Sequence, residues 1–249
     1  MNDCPKISRR GFTKLCMAAA SLIAHRAHSR SASDGLEAVH HYERARLVDP
    51  SRQPITVDDL RTGVNYIFHY PYFTTPCFLI NLGERTTASQ NLQTEDGRSY
   101  RWNGGVGPQR AVVAFSAICA HLMTHPAPEV SFINYRHRAV NFRDKAKEPA
   151  RESRVIYCCS EKSVYAAAGA RVLGGPAPQP LAVITLDYES ADDAFFATGT
   201  QGGEMFDRFF HEHSFRLALA YGTDDVRKPV GDTATVLPLS EFCKHQVLC

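Results

Sequence analysis

Two short segments of the 249-residue chain carry the residue types that bind soft metal ions. In the first, Cys119 and His121 stand two positions apart, shortly after the apolar run 111–115. The second carries two adjacent cysteines, Cys158 and Cys159. Thiolate favours zinc or an iron–sulfur cluster, and imidazole beside thiolate suits zinc or a cluster with mixed ligands. We therefore expect two loops that present ligands to one small metal centre.

The composition is that of an ordinary globular protein, with 44% hydrophobic and 22% charged residues. This mixture excludes long disorder, collagen and coiled coil, and the length allows one large domain or two small ones. The net charge is +2, from 28 basic against 26 acidic residues, which argues against a nucleic-acid partner. The 8 cysteines and 11 histidines are the unusual counts, and they indicate disulfides, metal ligands or both.

A series of short β-prone runs bounded by turn residues begins near Asn65, after a mixed lead-in over 34–63. Regular short runs of this kind predict a mainly β fold, an antiparallel sandwich or barrel. Apolar residues at helical spacing then predict a helix over 204–213, and alternation over 215–221 predicts a strand. The β-prone runs are 66–68, 77–80, 98–102, 111–115, 155–157, 163–165, 171–173 and 181–186.

The beginning of the chain resembles an export signal. The run 8–14, SRRGFTK, closely resembles the twin-arginine signal S-R-R-x-F-x-K, and the apolar run 15–24 follows it. Ten helical residues rise about 15 Å, which is about half the thickness of the hydrocarbon core of a bilayer. This run is therefore too short to span a bilayer comfortably. We expect a cleaved signal or a retained N-terminal anchor over 1–33, and a plain basic amphipathic helix is the alternative. Export would place the protein on the periplasmic side of the bacterial inner membrane.

The two ligand-bearing segments and a later turn together resemble the Rieske iron–sulfur family. The family pattern is C-x-H-L-x-C, then C-x-C-H-x-S-x-Y/F, then G-P-A-P. The corresponding runs in this chain are 119–124, 158–165 and 175–178. The resemblance implies a Rieske-like domain over 64–249 with a small cluster-binding subdomain. Its cluster-binding segments are loop one, residues 115–125, and loop two, residues 156–178.

The resemblance also implies a [2Fe–2S] cluster, in which two cysteines hold one iron and two histidines hold the other. Cys119 and His121 occupy the matching places in loop one, and Cys158 occupies one in loop two. Ser163 and Tyr165 fall where the family places hydrogen-bond donors to the cluster sulfurs. Such donors tune the reduction potential of the cluster.

The chain departs from the family pattern at three positions and in one interval. Glu161 stands where the family has its second histidine, and Thr124 and Ser160 stand where it has two disulfide-forming cysteines. Joint loss of both cysteines avoids an unpaired thiol. Between His121 and Cys158 lie 36 residues, more than the family has there, so we expect an insertion.

Three interpretations of Glu161 are open at the level of sequence. In the first, its carboxylate ligates the outer iron and lowers the potential, because an anionic oxygen stabilises the ferric state. In the second, His125 or His137 from the insertion supplies the fourth ligand. In the third, no cluster forms and the fold survives as a structural subunit. We take Glu161 as the leading fourth ligand, because an empty site has no physical need for the other residues of the set.

The implied function is one-electron transfer by a subunit of a respiratory or oxidoreductase complex, rather than self-contained catalysis. The implied partners are other subunits of a membrane or periplasmic redox complex, a cytochrome acceptor and a quinol donor. Membrane association would run through the N-terminus or through a partner subunit. His121 is the one exposed imidazole that the ligand set offers, which favours transfer to a cytochrome over quinol oxidation. A relic Rieske fold in an assembly subunit, or a zinc-binding β module, is the alternative.

The remaining cysteines and histidines form weaker patterns. Cys243 and Cys249 could close a small C-terminal disulfide loop, or Cys77 could pair with Cys159. The histidine pairs expected at the surface are His40 with His41 and His211 with His213.

Overall fold

The computed structural model describes residues 36–249, so the export signal predicted over 1–33 lies outside the described residues. No helix within the described range is long and apolar enough to span a membrane. The helices are α1 (Phe206–Tyr221) and α2 (Leu239–Phe242). The strands are β1 (His40–Val48), β2 (Tyr66–His69), β3 (Pro76–Asn81), β4 (Gln90–Gln93), β5 (Ser99–Trp102), β6 (Val112–Ser116), β7 (Val130–Ser131), β8 (Ile133–Arg136), β9 (Val140–Arg143), β10 (Pro149–Glu152), β11 (Val155–Cys158), β12 (Ser163–Ala166), β13 (Val172–Gly174), β14 (Val183–Glu189), β15 (Ala194–Gln201), β16 (Thr233–Thr235), β17 (Leu237–Pro238) and β18 (His245–Gln246).

Eight strands form one large sheet in the order β16-β1-β15-β14-β6-β3-β2-β17. All neighbouring pairs are antiparallel except β1 with β16. The edge strand β16 lies close to β2 near the opposite edge, so the sheet is nearly closed. The apolar strand β6 lies inside the sheet, is buried along its whole length and leads into loop one. The predicted mainly β fold is confirmed.

A separate sheet of four strands, in the order β13-β12-β11-β8, carries loop two. Its strands β11 and β12 form an antiparallel hairpin in which Cys158 lies opposite Ser163. The turn 159–162 joins the two strands, and Lys162 in it has a left-handed backbone with φ of 60°. This hairpin fixes the positions of the loop-two residues relative to one another.

Each of the eight predicted runs overlaps a strand, and segments without a predicted strand add further ones. Within the lead-in 34–63, strand β1 pairs with β15 and joins the large sheet. Within the insertion before Cys158, β8 joins the small sheet, while β9 and β10 form a hairpin of their own.

Helix α1 continues through 215–221, so the strand predicted there is wrong. Leu217 is buried, while Phe215 and Leu219 on either side of it are 76% and 70% exposed. Apolar residues at every second position therefore imitate a strand pattern, although only one of these three side chains faces the core. The helix ends at Gly222, whose left-handed φ of 60° is a common helix C-terminus.

A disulfide joins Cys159 to Cys249, so both predicted pairings, Cys243 with Cys249 and Cys77 with Cys159, are wrong. The path of the C-terminal segment explains the outcome. Strand β18 runs parallel to β7, and the Cys159 N–H donates to the carbonyl of Phe132 just after β7. The end of the chain therefore reaches loop two, and Cys77 and Cys243 stay free and buried.

The main hydrophobic core contains residues of both sheets together with the candidate sulfur ligands. Phe115 contributes from the large sheet and Ile156 from the small sheet, and both are fully buried. Cys119 and Cys158 belong to the same cluster and are also fully buried. The candidate site is therefore built into the core, where close packing fixes side-chain positions.

Candidate metal centre

Loop one folds back on itself directly after β6. The Cys119 N–H donates to the Thr124 carbonyl at 2.8 Å, and the Met123 N–H donates to the Cys119 carbonyl at 3.0 Å. These bonds bury Cys119 and leave the tip of the loop at the surface. The His121 side chain is 35% exposed and Leu122 is 57% exposed.

Three ligand atoms from the two loops converge in the core. The sulfurs of Cys119 and Cys158 and a carboxylate oxygen of Glu161 all lie within 4.8 Å of one another. Within residues 36–249 this is the one such group of three. Two thiolates bound to one tetrahedral metal ion at about 2.3 Å stand about 3.8 Å apart, so the two cysteines can share an ion.

The two thiols interact directly. Contact with Cys119 lowers the pKa of Cys158 against the opposing effect of burial. The same contact, together with burial, raises the pKa of Cys119. The pair therefore gives up its first proton readily, and thiolate is the form of cysteine that binds metal.

The Glu161 carboxylate connects loop two to loop one. Its Oε2 accepts the Leu122 N–H at 2.9 Å and the Cys119 thiol at 3.1 Å. Its Oε1 accepts the Thr124 N–H at 3.3 Å and also the hydroxyl of that residue. Burial alone would raise the pKa of this carboxyl, but the hydrogen bonds from loop one outweigh it and hold the pKa below its usual range. The side chain is 5% exposed, so an almost buried negative charge faces the two sulfurs.

His121 places a ring nitrogen beside this carboxylate. Its Nδ1 lies 3.4 Å from Glu161 Oε2, yet it is buried and has no hydrogen-bond partner. Nitrogen and oxygen ligands of one tetrahedral ion, each at about 2.1 Å, stand about 3.4 Å apart. A buried polar atom without a partner is unusual and requires an explanation. The spacing of a metal-ligand pair provides one here.

Two hydroxyl groups of β12 face the same region. The Tyr165 hydroxyl accepts the Ala120 N–H at 3.1 Å and lies 3.2 Å from the Cys119 sulfur, to which it can donate its proton. Burial raises the pKa of Tyr165, so the hydroxyl stays protonated. The Ser163 hydroxyl is buried without a partner. Both residues therefore have a proton available for a sulfur acceptor.

Polar side chains replace the disulfide that the resemblance would place between the loops. The hydroxyls of Thr124 and Ser160 lie 3.1 Å apart, one from each loop. The Ser160 hydroxyl also lies 3.4 Å from the Cys158 sulfur. The sequence identified these positions as departures from the family pattern, but the contact between their hydroxyls and that of Thr124 with Glu161 are visible only in the structure.

Neither histidine of the insertion joins the donor group. His125 lies between Met123 and helix α1, with its ring 4.8 Å from that of Phe209, and burial lowers its pKa to about 4. The His137 ring pairs with the Tyr135 hydroxyl at 3.1 Å, away from the sulfurs. Among the candidates that the sequence raised, Glu161 is therefore the one that lies with His121.

The remaining histidine pairs lie outside the site. His40 and His41 are both exposed, and the Nδ1 of His40 lies 3.1 Å from the Oε1 of Glu204. His211 is exposed in α1, as predicted. His213 is partly exposed on the same helix, with its ring 5.1 Å from that of His125.

No family model matches the chain. Among solved structures, the chain is similar to the crystal structure of the soluble domain of the Rieske protein II (soxF) from Sulfolobus acidocaldarius. The two are 26% identical, the match covers 69% of this chain and 85% of the other, and the TM-score is 0.44.

Replacing both Thr124 and Ser160 by cysteine should create a disulfide between the loops under oxidising conditions. The two hydroxyl oxygens already lie 3.1 Å apart, and the new bond would join residues 36 positions apart in the chain. We expect the free energy of unfolding to rise by about 2–3 kcal/mol, after subtraction of the lost hydrogen bonds. Thiol titration and urea unfolding, with and without reductant, measure both effects. The single Thr124→Cys variant is the control. If both introduced thiols of the double variant stayed free under oxidising conditions, the loop geometry would be contradicted.

Proposed function

We propose that the protein transfers single electrons through a Rieske-type [2Fe–2S] cluster held by Cys119, Cys158, His121 and Glu161. One observation carries the proposal. The ligand atoms form two pairs, two sulfurs in the core and a nitrogen with an oxygen 3.4 Å apart at its edge. The nitrogen–oxygen separation suits one tetrahedral ion, and the two sulfurs lie within 4.8 Å of each other, close enough to share another. When bound, such a cluster supplies one-electron redox chemistry.

The surrounding residues support this role in different ways. Cys119 and Cys158 would hold the inner metal in a dry core, and loss of the thiol proton on binding would remove the bond from Cys119 to Glu161. Tyr165 and Ser163 would donate to sulfur and so raise the stability of the more negative, reduced state. His121 would lie on the accessible edge, where an electron partner makes contact.

Glu161 distinguishes this site from one with two imidazoles on the outer metal. A charged carboxylate stabilises the ferric state, so we propose a reduction potential below the usual high range of such centres. His121 is then the one imidazole of the ligand set that can hydrogen-bond a partner. We therefore propose a cytochrome acceptor in preference to quinol oxidation.

The cellular setting is part of the proposal and rests on sequence. The SRRGFTK run supports export by the twin-arginine pathway to the periplasmic side of the bacterial inner membrane. This pathway suits a protein that folds around its cofactor before export. We propose that the chain works as a subunit of a membrane or periplasmic redox complex, associated with the membrane through its N-terminus or through a partner subunit.

A zinc-binding module is the second candidate, and a specific distance favours it. Glu161 Oε2 lies only 3.1 Å from the Cys119 sulfur, so carboxylate and both thiols could surround a single ion. Zinc accepts this combination of sulfur, oxygen and nitrogen ligands. The metal content of the protein separates the two candidates.

Protein purified from its native membrane or periplasm should contain about two irons and two acid-labile sulfides per chain, because both ligand pairs are occupied. Elemental analysis, sulfide assay and EPR of the reduced protein measure this. About one zinc per chain without iron would overturn the electron-transfer proposal in favour of the zinc module. Absence of both metals would overturn both candidates and leave a relic fold.

The Glu161→His variant should have a higher midpoint potential than the natural protein, because neutral imidazole stabilises the ferric state less than carboxylate does. A redox titration followed by EPR measures the change. Glu152→His, at an exposed position in β10, is the matched control and should leave the potential unchanged. An unchanged potential and spectrum in Glu161→His would show that the carboxylate is not a ligand.

A further inference from the structure

A cavity of about 710 Å³ adjoins loop two on the side of the β9–β10 hairpin. Its size lies in the range of small-molecule sites, which is roughly 300–1,000 Å³. Lys162 contributes to its wall and is the neighbour in sequence of both Glu161 and Ser163. The cavity therefore lies against the turn that carries the candidate metal centre.

Two adjacent glycines bring the walls of the cavity together. A Cβ atom on Gly174 would lie 2.1 Å from the carbonyl oxygen of Arg143, and one on Gly175 would lie 2.1 Å from that of Lys162. Gly175 also has a φ of 80°, which side chains other than glycine rarely adopt. The insertion hairpin and loop two can therefore approach from both sides, and they place their basic residues around one space.

The wall of the cavity is strongly positive. Four basic side chains line it, and none of them forms a salt bridge with a carboxylate of residues 36–249. The one acidic residue of the wall, Asp144, uses its Oδ1 to accept the N–H groups of Ala146 and Glu148 within its own turn. The basic residues are Arg143, Lys145, Lys147 and Lys162.

Apolar surface accompanies the charge. The rings of Phe142 and Tyr157 and the ring of Pro176 line the same cavity. Both aromatic residues are almost buried, at 8% and 7% exposure, so they form a floor and not a surface patch. An apolar floor beneath a rim of cations suits a ligand that has a flat apolar body and several negative charges.

We infer that this cavity binds a small organic polyanion, with an apolar or aromatic body and at least two negative charges. Its anionic groups contact the lysines and Arg143, and its body lies on Phe142 and Tyr157. The inference does not depend on which metal the neighbouring centre holds, because none of the cavity residues belongs to the ligand set.

Isothermal titration calorimetry of the full chain with 1,5-naphthalenedisulfonate tests the inference. This probe combines a flat apolar body with two negative charges and binds metal ions poorly. We expect saturable 1:1 binding. Sodium sulfate, which has charge without the body, and naphthalene-1,5-disulfonamide, which has the body without charge, should each bind at least about tenfold more weakly.

Lys147→Gln and Lys162→Gln should each weaken binding of the disulfonate about tenfold. Lys228→Gln removes the same charge at an exposed position outside the cavity and should leave the affinity unchanged. Circular dichroism and thermal unfolding establish that each variant is folded. Absence of saturable binding, or equal weakening by Lys228→Gln, would overturn the inference, the latter because it would show attraction to net charge alone.

Discussion

The contact on which the site depends is the buried carboxylate of Glu161 among donors from loop one. A charged group with a 5% exposed side chain is costly to bury unless its oxygens are hydrogen-bonded. Here the N–H groups of Leu122 and Thr124 and the Thr124 hydroxyl satisfy them. The same hydrogen bonds hold loop one against the hairpin of loop two. They therefore set the distance between the two segments that carry the sulfur atoms.

The strands that flank each loop fix its position and so make that contact possible. Strand β6 delivers loop one from inside the large sheet, and the pairing of β11 with β12 sets Cys158 opposite Ser163. The disulfide from Cys159 to Cys249 then attaches the chain end to the turn next to the site. Soft ligands are thus held by a rigid core, while His121 remains at its accessible edge.

Local pattern was enough to predict much of the fold and to single out the candidate ligand residues, whose binding role stays a prediction. Buried strands such as β6 are short apolar runs between turn residues, and the spacing of Cys119 and His121 is a local property of the sequence. The error over 215–221 arose because exposed apolar side chains of a helix imitated the alternation of a strand. Such exposure depends on what the helix packs against, which pattern alone does not contain.

Contacts between distant segments could not be predicted in the same way. The pairing of Cys159 with Cys249 depends on the path of β18 beside β7, and the bonds of Glu161 depend on how two loops 42 positions apart meet. Glu161 is also a single residue at a position where the resembled pattern has histidine, so no motif describes its role. Its interpretation needed the geometry.

We propose that one cysteine from each loop jointly holds a metal. The metal content of four cysteine-to-serine variants, each checked for folding by circular dichroism, tests this most directly. We expect Cys119→Ser and Cys158→Ser to lose the metal, while Cys77→Ser and Cys243→Ser, which alter free buried thiols elsewhere, retain it. Full metal content with an unchanged spectrum in folded Cys119→Ser or Cys158→Ser would contradict it.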